Sequence, residues 1–151
     1  MRKIFVVGKP VTGKTVLIPP EMLSRYTLVN GATYEVVMDV NIEDPSKLNE
    51  ENFEKVKSEL KRKLGVDVKY FEVVEHKGRY EAVMQLSGAP VTSSSLGAIL
   101  MALMPLIGIA VAGIAIYYVI KKYPGLITLG IIGLLLLMGL PGLLGELGGG
   151  E

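Results

Sequence analysis

Residues 8–15 read Gly8-Lys9-Pro10-Val11-Thr12-Gly13-Lys14-Thr15 and meet the spacing G-x-x-x-x-G-K-[ST] at every fixed position. Residue types in that order can cradle an anion. The glycines let backbone N–H groups converge on phosphate, the lysine neutralises it, and the hydroxyl holds Mg²⁺. Gly8, Gly13, Lys14 and Thr15 are therefore the candidate nucleotide-binding residues. The chemistry also needs a helix that opens at Thr15 and turns its N-terminus toward the phosphate. The residues after Lys14 are Thr-Val-Leu-Ile-Pro-Pro. Three of them carry branched Cβ atoms, and each proline in a helix interior costs about 3 kcal/mol. A loop between two hairpin strands is the simpler reading of this segment, with nucleotide binding as the alternative.

Other catalytic chemistry has few candidates. The chain has one histidine, His76, and no cysteine, so a Ser/His/Asp triad, a multi-histidine metal site and thiol chemistry are not expected. His76 sits beside Lys77 and Arg79 and reads as a solvated turn residue. The pairs Glu72/Glu75 and Glu50/Glu54 have acid–base chemistry but fall on a strand end and a helix surface. No catalytic residue, metal ligand or cofactor is assigned, and the protein is expected not to be an enzyme.

The elements that carry these residues can be read from patterning. Residues 4–7, 15–18 and 33–40 are rich in branched apolar side chains and read as strands. The run at residues 4–7 is too short for the apolar core of a signal peptide. Residues 49–64 form the clearest helix: Asn49 is the cap, Leu48 and Phe53 the staple, and Phe53, Val56, Leu60 and Leu64 one buried stripe. Glutamates crowd its start and Lys61, Arg62 and Lys63 its end, which complements the helix dipole, and Gly65 stops it. Residues 66–75 and 80–86 read as a hairpin around His76-Lys77-Gly78-Arg79. The result is an α+β domain over residues 1–88, about five strands and one long helix. A Lys/Glu-rich composition without Cys or Trp fits a thermophile.

Within this domain, residues 13–36 resemble the AbrB-type swapped-hairpin module. A strand ends in Ile18-Pro19, a short helical turn holds Glu21 and Leu23, and Leu28 and Gly31 lead to a strand through Tyr34 and Val36. The resemblance implies a β-rich, intertwined dimer and, in that family, DNA binding. Leu23 stands where the family usually has arginine, and one extra residue separates Gly13 from Ile18. The net charge is only +1, so no nucleic-acid partner is expected.

The last third of the chain has a different composition. No Asp, Glu, Lys, Arg or His lies between Glu81 and Lys121, or between Lys122 and Glu146. Residues 96–120 are long enough to cross about 30 Å of hydrocarbon as a helix, and residues 126–144 just reach that length. The expectation is a two-helix transmembrane hairpin over 96–144. Residues 89–95 would form its linker, 121–125 its turn and 145–151 a tail. Tyr117, Tyr118, Lys121, Lys122 and Tyr123 would anchor it at the lipid headgroups. Ala98, Ala102, Gly108, Ala112, Gly113, Gly130 and Gly133 would pack helices closely.

The functional expectation joins these parts. The chain reads as a non-enzymatic membrane component for structure or assembly, homo-oligomeric, in a membrane complex or a lipid-containing virion, with its head slightly favoured on the cytoplasmic side and lipid as a partner. A tethered nucleotide binder, a tethered DNA-binding regulator and a small oligomeric pore are the alternatives.

Overall fold

In a computed structural model the described residues are 2–23, 29, 31–88 and 93–120. They build one six-stranded antiparallel sheet from β1 (Arg2–Gly8), β2 (Lys14–Leu17), β3 (Thr33–Ile42), β4 (Val66–His76), β5 (Arg79–Gly88) and β6 (Ile109–Ile120). Helix α1 (Glu50–Leu64) joins β3 to β4, and α2 (Ser93–Leu103) joins β5 to β6. The sheet order is β1-β4-β5-β3-β6-β2. Strands β3 to β6 with their two helices thus form interleaved β-α-β crossovers, the split arrangement in which parallel strands have an antiparallel one between them. β1 and β2 are added at opposite edges.

Helix α1 forms where the local chemistry predicts. The Asn49 side chain accepts the Asn52 backbone N–H at 3.0 Å, a cap that contributes about 1 kcal/mol. Phe53, Val56, Leu60 and Leu64 are buried. Gly65, at φ 69, closes the helix by donating to the Lys61 carbonyl. The β4–β5 turn places Lys77 and Gly78 at φ 52 and 78, positive values at both central residues as a tight hairpin requires.

The sheet's core face alternates as the pleat demands. Val36, Met38, Val73, Ala82, Met84 and Ile116 point into a cluster closed by Phe53, Leu60, Leu96 and Leu100. Phe53 stacks on Phe71 with ring centroids 5.1 Å apart. Phe5 of β1 meets both rings edge-on at 6.1 and 6.0 Å. Tyr34 and Tyr118 lie side by side at 5.1 Å on neighbouring strands.

The expected membrane hairpin does not form over residues 96–120. Residues 96–120 are not one helix: α2 ends at Leu103, a 3-10 turn follows over Met104–Ile107, and β6 then enters the sheet between β3 and β2. Among the described residues no helix is long and apolar enough to cross a membrane. The two-span architecture, and the localisation drawn from it, are therefore overturned. The physical reason is that an internal strand paired on both edges and carrying no charged side chain shows the same continuous apolar run as a spanning helix. Pro105 and Gly108 break the helix. Gly108 has φ 74, and a Cβ there would collide with the Asp44 carbonyl. Its own carbonyl accepts the Glu43 and Asp44 N–H groups at 2.8 and 3.2 Å. The second expected span, residues 126–144, lies outside the described residues.

Candidate functional site

β1 and β2 do not pair. They lie at opposite edges of the sheet, so residues 9–13 cross its face as a strap rather than turning a hairpin. The strap runs over the face away from the helices. Its middle residue, Val11, is fixed by Gln85 of β5, near the centre of the sheet. Gln85 Oε1 accepts the Val11 N–H at 2.6 Å, and Gln85 Nε2 donates to the Val11 carbonyl at 3.0 Å. One side-chain amide therefore meets Val11 as a neighbouring strand's peptide would. The same Nε2 lies 3.1 Å from Glu35 Oε1 on β3. Gln85 is only 3% exposed, so its polar atoms are satisfied by these contacts.

The register places further groups in the same row: Gly8, Tyr70, Gln85, Glu35, Tyr117 and Leu17 stand opposite one another across the six strands. The Tyr70 hydroxyl donates to Glu72 Oε2 at 2.5 Å. Burial, then the Glu72 hydrogen bond and the charges of Glu72 and Glu35, push the Tyr70 hydroxyl up to about 12. A tyrosine held protonated in this way is a hydrogen-bond donor, not a base. The next row, Val6, Glu72, Val83, Val37 and Ala115, is largely apolar and only partly covered. Beside the strap a cleft of about 300 Å³ opens between Val11, Thr33, Asp67, Lys69 and Ser87.

The candidate phosphate-binding residues fall along this strap without the helix that their chemistry uses. Gly8 ends β1 at φ 84, and a Cβ there would strike the Lys69 carbonyl. Gly13 is a bend, and Lys14 and Thr15 open the exposed edge strand β2. Thr15 faces Val119 in the ladder, and the Val11 N–H is already taken by Gln85. The stretch resembling the swapped-hairpin module keeps its strand, a 3-10 turn over Pro20–Met22 and its second strand. However, β6 lies between β2 and β3, so these strands do not pair with each other.

The residues expected at headgroups or in helix packing are dispersed. Tyr118 is buried against Tyr34, where burial pushes its hydroxyl upward. Tyr117 faces Glu35 and Leu17 on the strapped side. Gly108 ends the 3-10 turn, Ala112 is the extra residue of a bulge in β6, and Gly113 faces Asp39. Lys121, Lys122, Tyr123, Gly130 and Gly133 lie outside the described residues. Ala98 and Ala102 do share a helix face, and they point outward from α2. With Met101, Pro105 and Leu106 they make an exposed stripe spaced i, i+3, i+4, i+7 and i+8. Met101 is 55% and Leu106 49% exposed.

Glu72 accepts from Tyr70 and pairs with Lys3, while Glu75 pairs with Arg2. Glu50 and Glu54 are exposed on α1, and His76, expected in the turn, is the exposed last residue of β4, paired with Arg79. Among the described residues no group of three or more His, Cys, Asp or Glu could hold a metal ion. Sequence reasoning missed the contact between Gln85 and Val11. Its one signal is an uncharged amide on the outward face of β5, where Glu81 and Val83 precede it. No family model, curated protein or solved structure matches the chain.

Proposed function

We propose that the protein is a non-enzymatic structural or assembly component that works as a homo-oligomer. The observation that carries this reading is the outward stripe of α2 and the 3-10 turn after it. Ala98, Met101, Ala102, Pro105 and Leu106 are exposed, and residues 82–120 hold no charged side chain to break up the patch. Contiguous exposed apolar surface of this kind marks interaction sites. The two alanines one turn apart let another surface approach the helix closely, and Met101 and Leu106 supply large apolar contact. The partly covered row of Val6, Val83, Val37 and Ala115 adds a second surface on the sheet's other side.

The test is sedimentation of the full-length protein beside a Met101→Glu, Leu106→Glu double variant. The reading predicts an oligomer that the variant weakens by about 30-fold or more in dissociation constant, as for buried interface anchors. Equal association of the two proteins refutes the stripe as the contact.

A further inference from the structure

The geometry points to exchange of β1 between two copies of this chain, β1 of one copy filling the edge of β4 in the other. This inference rests on the homo-oligomeric reading and names the contact that would join the copies.

The strap is the first reason. Across a flat sheet, five inter-strand gaps of about 4.8 Å separate β1 from β2 by about 24 Å. The six steps from Gly8 to Lys14 reach at most about 20–22 Å. The sheet must therefore curl toward the strap for so short a linker to close the gap. A short, taut tether favours exchange, because opening it removes the closure while the same contacts re-form in a partner. Its attachment is the second reason. Among the described residues, the strap's hydrogen bonds to the sheet all run through Gln85. Opening the strap thus costs one side chain's hydrogen bonds.

The third reason is what β1 leaves and re-enters. Among the described residues it pairs with β4 alone. Arg2 and Lys3 bond Glu75 and Glu72 at 3.3 and 3.5 Å, and Phe5 lies against Phe53 and Phe71. None of these partners belongs to the strap or to β2. A β1 arriving from a second copy meets the same ladder, the same ion pairs and the same aromatic contacts, so exchange conserves them all. Among the described residues no strand pairs with the outer edge of β1.

The chain has no cysteine, which makes a direct test clean. Val6 and Glu72 stand directly opposite each other on β1 and β4. A full-length Val6→Cys chain and a full-length Glu72→Cys chain are refolded together and oxidised, then separated without reductant. Exchange predicts a covalent dimer, absent when Val6→Cys is mixed with Ser58→Cys, which places the second thiol on the exposed face of α1. An Arg2→Cys with Glu75→Cys mixture repeats the test at a second facing pair, in case one substitution prevents folding. Four residues, Gly-Ser-Gly-Ser, inserted after Thr12 give the strap slack and should lower the dimer yield tenfold or more. An oligomer by sedimentation that yields no cross-chain disulfide overturns exchange and leaves the assembly reading standing. A protein that sediments as a monomer overturns both. A covalent dimer that the longer strap does not reduce overturns the taut strap as its cause.

Discussion

The two faces of the sheet are held by different means. On one, Phe53, Val56 and Leu60 of α1 and Leu96 and Leu100 of α2 pack over the inward side chains of β3 to β6, and Val36, Met38, Val73, Ala82, Met84 and Ile116 among them are buried. Each such side chain contributes roughly 1.5–3 kcal/mol by leaving water. On the other, residues 9–13 cross without a helix behind them, and a single amide fixes their midpoint. Apolar packing is strong, non-directional and intolerant of lost volume. A two-point hydrogen bond is weaker and directional, and it leaves the surrounding surface partly open. The helix face therefore carries stability, and the strapped face is the side on which the fold can open.

The sharpest break in that contrast comes from the helix face. Phe53→Ala should cost about 3–5 kcal/mol in urea denaturation, because Phe53 stacks on Phe71 and meets Phe5. A loss below about 1 kcal/mol would mean that this face is not the packed one.

A second test uses pH. Burial pushes the Tyr34 hydroxyl up to about 12, partly offset by the Val29 N–H that it accepts. Between the ordinary tyrosine value near 10 and about 12, the unfolded chain releases this proton while the folded chain keeps it. The stabilisation is complete below pH 10 and is lost as pH rises toward 12, by about 2–3 kcal/mol. Tyr34→Phe should reduce the slope of that part of the stability curve, the raised Tyr70 and Tyr118 hydroxyls supplying the remainder; identical slopes in the two proteins would contradict the assignment.

The smallest effect belongs to the strap. Gln85→Ala removes both partners of the Val11 peptide and should cost about 1–3 kcal/mol. Amide exchange at Val11 should accelerate while that of the core amides of β4 and β5 changes far less. Uniform acceleration across the sheet would erase the distinction between the faces.

How much of this was legible depends on how local the information is. Asn49, the stripe from Phe53 to Leu64 and Gly65 specify α1 within one stretch of chain, as Lys77-Gly78 specifies the β4–β5 hairpin. The branched residues after Lys14 likewise pointed to a strand, and β2 begins there. Residues 96–120 misled because absence of charge does not distinguish an internal strand from a spanning helix. The discriminating signals were Pro105, Gly108 and the dense β-branching of Ile109, Val111, Ile114, Ile116, Val119 and Ile120. The strap was illegible for another reason. Pro10 and Gly13 suit a hairpin turn, but the partner of β1 is β4, far away in sequence, and no local feature reports that pairing. Gln85 acquires its role only once the strap lies over it.

Self-association is read most directly from the mass of the 151-residue chain in solution by sedimentation equilibrium. Self-association gives a multiple of 16.3 kDa that falls toward the single-chain mass when Met101 and Leu106 are both replaced by Glu. A mass of one chain at every concentration would contradict it.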